Sequence, residues 1–534
     1  MAAILPRIRK RITFGNAAFI LAGSAALSQI LGFLRTKLIN ANFIGATVPP
    51  DQNAGVYFAA FVLPDFFFFT IAAGALGVAF MPYLSDRLER GDKAGIWKLS
   101  SSLINVMSVV LFVVGLILLV FADVLARQLA QGYTPDQVHN VAVMMRILAM
   151  NPLIFTISGV ISAVQQVHGR FFFYAIAPIF YNLSIIASIF IFKDNIGIVG
   201  LAIGAVAGAL LQLVVVCLGN YGLGFRWRPK VQWKDGEFRQ MLKQLPPRSL
   251  DQGLDQVQVI VETNIASSRR LGGATAVSDY NNAYVLHTAP ILLIGTTIST
   301  AFFPKLSARL SQGRPDLFRR DFLKILRLLI WLTLPVVVVS FFARGYLARL
   351  IFSQNSPEIS IIFGSLVLAI LFRVMFSIIS RWFYAQKDTR TPLIVSVFVI
   401  ALNVVLAYRL SHGYGVQGLA IAQSIVAATE VVILSVIMVM RDHKLINKWF
   451  LGGVWKIVSV TGFSLVAGYV AISCLPLGAN DVGPLVLGSK LTAITAIVFV
   501  THLGLSAVFG LEEAFAVLRR VRNFILRPVR VTED

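Results

Sequence analysis

Charged side chains interrupt several of the long apolar runs of this chain. Arg35 and Lys37 lie at the end of the first run, in LSQILGFLRTKL. A guanidinium fork suits a phosphate better than an ammonium does, and Arg35 lies close to Gly32, where the backbone carries no side chain. Arg35 is therefore a candidate anion ligand. The alternative for both cations is snorkelling, in which a charge near a helix end reaches the membrane surface at little cost.

A second set of polar residues has helical spacing. Its members are three, four, three and four residues apart, so all of them share one helical face. Such a face is too costly in lipid and must contact protein or water. The deepest member, Glu262, is a structural residue, a proton carrier or part of a cation site, and the spacing leaves these three roles open. The set consists of Arg248, Asp251, Asp255, Gln258 and Glu262.

Other titratable residues stand alone in apolar runs. Arg146 and Arg373 occupy corresponding predicted helices of the two halves of the chain described below. An ion pair between Arg373 and Glu430 is the alternative to a binding role for that arginine. His287 precedes Pro290 by three residues and is more typical of a buried histidine with hydrogen-bond partners than of a ligand.

The motifs of several function classes are missing from the sequence. It contains no GxxxxGK[ST] phosphate loop and no paired metal-ligand motif, and Cys217 and Cys474 lack metal or redox spacing. We therefore expect no enzyme activity, no cofactor and no firm metal site. The net charge of +22 resides in short loops rather than on one face, which argues against nucleic acid as a partner. Transport would have to be driven by an ion gradient or a membrane potential.

Composition identifies the class of protein that positions these residues. The chain has 534 residues, of which 57% are hydrophobic and only 13% charged. Apolar stretches of about 20 residues, each long enough to cross a bilayer as a helix, recur from end to end. We predict an all-α polytopic membrane protein of about 14 transmembrane helices. The predicted cores are 15–35, 55–80, 101–123, 141–164, 173–192, 196–219, 246–267, 278–303, 325–343, 358–380, 391–409, 415–439, 452–474 and 487–510.

Two motifs occur twice in the same order. AFMPYLSDRLERGD at 79–92 returns as AFFPKLSARLSQGRPD at 301–316, and GIVGLAIG at 197–204 returns as GVQGLAIA at 415–422. A duplication of this length predicts two six-helix lobes related by a pseudo-twofold axis, with a polar chamber between them. Pro64 and Pro290 fall at matching places and predict matching kinks. The predicted domains are 1–222 (helices 1–6), a cytoplasmic linker at 223–245, 246–445 (helices 7–12) and 446–534 (two added helices and a basic tail).

Lysine and arginine are concentrated in every second loop. The basic loops include both ends of the chain, which predicts a cytoplasmic-membrane protein with both termini in the cytoplasm.

Four segments resemble the MurJ (MviN) family of lipid II flippases, within the superfamily of multidrug, oligosaccharidyl-lipid and polysaccharide exporters. They are 27–46 (LSQILGFLRTKLINANFIGA), 79–92, 272–313 and 383–408. The resemblance covers essentially the whole chain, including the two added helices. It implies a flippase that carries undecaprenyl-pyrophosphate-linked disaccharide-pentapeptide across the cytoplasmic membrane for peptidoglycan synthesis. The lipid tail would lie in a groove associated in the family with helices 13 and 14.

The chain departs from the family pattern at charged positions. In SRxLGFxRD, Gln29 takes the place of the first arginine and Thr36 that of the aspartate, whereas Arg35 remains. The substrate-binding set that the resemblance implies is thus Arg35 and Gln29, with Lys37, Arg146 and Arg373 as compensating cations. Further family charges are replaced by Gly55, Phe68, Ala73 and Val285.

Some members of the family also carry a sodium site. The resemblance places Glu262, Asn403 and Ser424 in a cation-coupling set, while Ala407 stands where the family has a second acidic ligand. Coupling to Na⁺ or H⁺ therefore stays open.

The leading interpretation is a monomeric lipid II flippase that works by alternating access among membrane lipids. One alternative is a flippase or exporter for another lipid-linked glycan or an amphipathic small molecule. A second is a membrane scaffold that recruits cytoplasmic partners through its basic loops.

Overall fold

The computed structural model describes residues 14–73, 80–352, 356–515 and 518–519. Among the described residues all regular structure is helical, which confirms the all-α prediction. The side chains of Arg248 and Asp251 lie outside the described ones, so their predicted place on a polar face stays a prediction.

Two compact units divide the chain between Asp279 and Tyr280. This boundary lies after the seventh predicted span, 246–267. The predicted lobes, which were drawn from the duplication, divide before that span. The predicted domain limits stay a prediction. The helices of unit 1 are α1 Phe14–Phe43, α2 Ala54–Phe67, α3 Met81–Glu89, α4 Lys93–Leu129, α5 Pro135–Leu148, α6 Asn151–Val167, α7 Phe172–Phe192, α8 Val199–Gly219 and α9 Gly236–Ala266. Helix α10 Ala274–Pro290 begins in unit 1 and ends in unit 2. Unit 2 continues with α11 Thr297–Ser311, α12 Pro315–Phe342, α13 Arg344–Phe352, α14 Ser356–Ala385, α15 Arg390–Tyr414, α16 Val416–Arg441, α17 Lys448–Cys474 and α18 Pro484–Val508.

Twelve stretches of the described chain are long and apolar enough to cross a membrane. Helices α1 and α9 lie at the first and seventh predicted spans and are not among the twelve. For α9 the reason is composition, because Asp251, Asp255 and Glu262 fall within its last 18 residues. A helix this polar must be shielded from lipid, and α9 does pack against α2 and α4 within unit 1.

Both predicted prolines lie at a change of helix type. A π-helical turn, Phe68–Ala73, begins four residues after Pro64, and a second, Ile291–Thr296, follows Pro290 directly. Proline lacks an N–H donor and clashes with the preceding turn, so the regular hydrogen-bond ladder breaks there. Each of the two matching prolines is thus followed by an interruption of the α-helix, and the kinks themselves stay a prediction.

The duplicated glycine motif also has the same role in each unit. Gly197 and Gly415 have φ angles of 67° and 61°, a left-handed backbone that glycine adopts without strain. Each glycine lies just before a membrane helix, α8 in unit 1 and α16 in unit 2. The repeat therefore encodes the sharp turn between two antiparallel helices.

Each unit has its own apolar core. In unit 1, Phe80, Leu84, Leu99 and Phe238 bring α3, α4 and the start of α9 together. In unit 2, the core joins α12, α14, α16 and α17, and α18 packs beside α17 and α13. The two added C-terminal helices are thus part of unit 2.

Candidate functional site

A polar pocket of about 540 Å³ opens between α1 and α7 in unit 1. Helix α1 contributes Ser28, Gly32 and Arg35, which are four and three residues apart and so lie on one face. Helix α7 contributes Tyr181 and Asn182. The pocket offers hydroxyl, amide and guanidinium groups within an otherwise apolar bundle, which is the composition of a ligand site.

One buried amide joins the two walls of this pocket. Asn182 Nδ2 donates to both the carbonyl and the hydroxyl of Ser28 at 3.3 Å, and to the Pro178 carbonyl at 3.2 Å. Pro178 lies inside α7, where its missing N–H leaves the carbonyl of Tyr174 without its usual backbone donor. The contact fixes the position of α7 relative to the Arg35 face of α1.

Two predicted substrate contacts line the pocket. Arg35 is half-buried, and its Nε is buried without a hydrogen-bond acceptor among the described residues. A buried donor that lacks an acceptor is costly, and an incoming anion would satisfy it. Gln29, at the position of the first family arginine, is exposed toward the same pocket. Arg35 and Gln29 are therefore brought together.

Asp65 is a functional candidate that the sequence analysis missed. It lies on α2, directly after Pro64, and the charge of Arg35 acts on it and on Tyr57 and Tyr181. No hydrogen bond joins Asp65 to Arg35 in the described part of the chain. Tyr181 lines the pocket with Arg35, whereas Asp65 and Tyr57 lie on α2, outside the pocket lining. A charged residue between a mid-helix proline and four phenylalanines was the signal that could have identified it.

Lys37 and Arg146 do not line this pocket. Lys37 follows Arg35 by two residues and so projects from another side of α1. Arg146 Nη2 lies 2.5 Å from Asp123 Oδ2 on α4, and its Nε donates to the Leu119 carbonyl. This ion pair gives Arg146 a partner on α4. The predicted role of Arg146 in substrate binding stays a prediction.

Glu262 is deeply buried on α9, with only 2% of its surface exposed. Gln258 Nε2, one helical turn before it, donates to Glu262 Oε1 at 2.9 Å. The spacing of the polar face predicted this neighbour relation. A buried carboxyl with a neutral amide donor can take up or release a proton, and it can also be structural.

Arg373 lies in a network of polar side chains in unit 2. Its Nη1 lies 3.1 Å from Glu430 Oε2, and its Nη2 donates to Gln423 Oε1 at 3.3 Å. Ser396 donates to the other oxygen of Glu430. The ion pair given above as the alternative to a binding role is thus present.

His287 departs from its sequence expectation. It is buried beside Tyr284, and both ring nitrogens lack hydrogen-bond partners among the described residues, whereas the sequence favoured a histidine with partners.

The predicted cation ligands of unit 2 are not joined. Asn403 on α15 is fully buried, and both of its amide atoms lack partners in the part of the chain described. Ser424 on α16 instead donates to the Ser365 carbonyl at 2.6 Å and lines a separate, apolar groove. The described residues contain no group of three acidic, histidine or cysteine side chains suited to a metal, and Ala407 removes a carboxylate from α15.

Comparison with known proteins identifies the family. The family model described as lipid II flippase MurJ matches residues 41–488. A probable lipid II flippase MurJ of Rhizobium meliloti (strain 1021) is 26% identical over 91% of this chain and 93% of its own length. A relative of the same description from Synechocystis sp. is 25% identical and covers 86% of this chain and 87% of its own.

Solved structures show the same fold. A structure of lipid II flippase MurJ in an inward closed conformation has a TM-score of 0.73 and 21% identity, over 92% of this chain and 98% of that one. An inward-facing multidrug resistance MATE family transporter of the MOP superfamily has a TM-score of 0.66 and 17% identity, over 78% of this chain and 95% of that one. With the family model matched across most of its length, this multi-pass membrane chain belongs to the lipid II flippase MurJ family.

Proposed function

We propose that this chain flips lipid II, the undecaprenyl-pyrophosphate-linked peptidoglycan precursor, across the cytoplasmic membrane. Membership of the family supports the substrate. The observation that carries the proposal is Arg35, whose buried Nε has no acceptor and whose side chain opens into a polar pocket. A pyrophosphate would supply the missing acceptor with a charge-assisted hydrogen bond.

The proposed mechanism is alternating access by a monomer with both termini in the cytoplasm. The MOP fold and the duplication support it, because repeats of this kind typically rock to open a site to one side at a time. The basic loops support the orientation. Within unit 1, Arg35 would bind the pyrophosphate, and Gln29 and Asn182 would contact the neighbouring polar groups of the head.

We further propose that Glu262 responds to a proton rather than to sodium. Its burial and its neutral partner Gln258 support this, because such a carboxyl can change charge when the access of water changes. Ala407 stands where the resemblance expects a second carboxylate, so the predicted sodium set has one acidic ligand fewer.

The experiment is rescue of a bacterial strain depleted of its own lipid II flippase. The unmodified chain should restore growth, and Arg35→Ala should abolish rescue. We expect Arg35→Ala to weaken lipid II binding by about 10- to 100-fold, the cost of losing hydrogen bonds to a charged group. Arg35→Lys should restore binding only in part, because an ammonium lacks the fork. Arg320→Ala, a change of an exposed arginine in unit 2, is the matched control and should rescue fully.

A different lipid-linked glycan, or an amphipathic molecule, is the second candidate substrate. Asp65 favours it, because a carboxylate near Arg35 makes the pocket less attractive to a doubly charged anion. Binding of lipid II and of unrelated polyprenyl-linked glycans, measured side by side, separates the two. Tighter binding of the unrelated glycans by a correctly inserted protein would overturn the lipid II proposal.

A further inference from the structure

The linker between α8 and α9 is held against α4 by its own backbone. Asn105 Nδ2 donates to the Arg228 carbonyl at 2.7 Å. The hydroxyls of Ser101 and Ser102 accept from the backbone N–H groups of Arg228 and Gln232 at 3.2 and 3.1 Å. These bonds use the main chain of the linker, so they leave the charged side chains of Arg228 and Lys230 exposed.

A buried arginine fixes the end of the same linker. Arg87 on α3 lies 2.5 Å from Asp235 Oδ2 and 2.8 Å from Glu237 Oε2, and Arg90 lies 2.9 Å from Glu237 Oε1. Burial raises the pKa of Asp235, but its hydrogen bonds and charge pairing with Arg87 outweigh this and lower it. The hydrogen bond from Arg87 is the main cause that lowers the pKa of Glu237. Both acids at this end are thus ionised and already paired.

The cations of the linker have no such partners. Arg226, Arg228, Lys230 and Lys234 are exposed, and none of them forms an ion pair with a described residue. Exposed like charges repel one another unless an anion lies near. This surface therefore carries positive charge that no described acidic side chain neutralises. We call residues 225–234 the linker strip.

The exposed apolar surface of α4 shows how far the linker strip lies from the hydrocarbon core of the membrane. Its exposed apolar band begins at Val109, 65% exposed, and continues to Val124. Asn105 precedes Val109 by one turn, or about 6 Å, and Ser101 precedes it by about 12 Å. The headgroup layer on each side of the hydrocarbon core is about 5–8 Å thick. Asn105 therefore holds the strip at headgroup depth.

Two tryptophans next to these cations in the sequence are also typical of the headgroup layer. Trp227 is 55% exposed while its Nε1 donates to Asn105 Oδ1 at 2.9 Å, and Trp233 is 58% exposed. Indole rings with a satisfied N–H and an exposed apolar face are enriched at the membrane–water interface. A soluble anion would leave these faces in water, whereas a phospholipid covers them with its glycerol and upper acyl chain.

We propose that the linker strip binds the phosphate of an anionic phospholipid headgroup. The guanidinium groups of Arg226 and Arg228 and the ammonium of Lys230 contact the phosphate, and Trp227 packs on the glycerol region. Since the strip is bonded to α4 and is continuous with α9, a bound lipid stabilises the join between these two helices.

Thermal unfolding of the full-length protein in neutral detergent tests this. The probes are dioctanoyl phosphatidylglycerol and dioctanoyl phosphatidylcholine, added over the same concentration range. A ligand that binds only the folded state raises the unfolding midpoint, so phosphatidylglycerol should raise it and phosphatidylcholine should not. In the triple variant Arg226→Gln, Arg228→Gln, Lys230→Gln, the concentration for a half-maximal shift should rise about 10-fold or more.

The matched control removes the same charge elsewhere. Arg314→Gln, Arg320→Gln and Lys324→Gln change three exposed cations of unit 2 and should leave the phosphatidylglycerol response intact. The proposal is overturned if both triple variants lose the response equally, or if phosphatidylcholine acts as well as phosphatidylglycerol on the unmodified protein. It is also overturned if inorganic phosphate, an acidic peptide or an RNA oligonucleotide produces the same shift at the same concentration. Even if the variants fold poorly, an equal response of the unmodified protein to the two lipids overturns the proposal.

Discussion

At the scale of single residues, the pocket of unit 1 depends on the balance between Arg35 and Asp65. The sequence predicted Arg35 from its type, its position and the family motif, and the structure places it in a polar pocket with Gln29. The sequence analysis missed Asp65 because this carboxylate stands outside the charged positions of the family motif. A contact between two helices, such as α1 with α2, is not encoded by the helical periodicity of either one.

Asp65→Asn should tighten the binding of an anionic head group by about threefold or more at alkaline pH, where the carboxyl is ionised, because the change then removes a negative charge near Arg35 and keeps the side-chain shape. The measurement is equilibrium binding of lipid II to the purified protein. Asp194→Asn, an exposed change in a loop of the same unit, should have no effect. Weaker binding by Asp65→Asn would show that Asp65 supports the site instead of opposing the anion.

Asn403→Leu should stabilise the protein. The side chain is fully buried with both amide atoms unpartnered among the described residues, and such a group costs about 1–3 kcal/mol. Leucine has a similar volume and no polar atoms. The midpoint of thermal unfolding should rise by about 2 °C or more. A fall, or a loss of transport at unchanged stability, would show that the amide binds a ligand during the cycle.

At the scale of helices, sequence periodicity located the membrane segments but not their breaks. The predicted span 141–164 falls on α5 and α6, which are separated at Ala149 and Met150 because Pro152 lacks the N–H that would bond to the Leu148 carbonyl. Helix α4 extends well beyond the predicted 101–123 at both ends, because its polar ends form a helix outside the apolar window. The interruptions of the α-helix after Pro64 and Pro290 were predictable, since proline acts locally.

The stability that the turn between α14 and α15 contributes should decrease at acidic pH. Burial raises the pKa of Asp388, but its bonds from Thr391 and from Arg441, at 2.5 Å, outweigh this and lower it to about 2. A lowered folded-state pKa stabilises the protein above the unfolded pKa of about 4, and this contribution is lost as pH falls toward 2. Asp388→Asn should therefore lower the unfolding midpoint at pH 6 and flatten its fall between about pH 4 and pH 2.

The control for this prediction is Asp194→Asn, an exposed aspartate without an ion pair in the described chain. It should leave the profile of unfolding midpoint against pH unchanged. An unchanged profile for Asp388→Asn as well would mean that the pair with Arg441 does not stabilise the turn.

At the scale of the whole molecule, the class of protein followed directly from composition. A chain with 57% hydrophobic residues and paired motifs leaves few folds other than a duplicated helical transporter. Two features were beyond the reach of the sequence: the boundary of the compact units after α9, and the packing of α17 and α18 into unit 2. Both depend on contacts between distant segments, which a single sequence does not specify.

Transport should respond to pH and not to sodium. Replacing Na⁺ by K⁺ on both sides of reconstituted vesicles should leave the rate unchanged, because Ala407 leaves the predicted sodium set short of one carboxylate. Glu262→Gln should remove the dependence of the rate on pH while the protein stays folded, since glutamine keeps the bond to Gln258 and cannot titrate. A rate that falls severalfold in K⁺ would contradict proton coupling.

The most direct test of the account is translocation of fluorescent lipid II in vesicles that contain only this protein. The unmodified chain should move lipid II to the opposite leaflet, Arg320→Ala should do the same, and Arg35→Ala should reduce the rate to that of empty vesicles. Equal translocation by the unmodified chain and by Arg35→Ala, or none by an unmodified chain shown to be folded and inserted, would contradict the central claim that Arg35 carries the pyrophosphate head group of lipid II across the membrane.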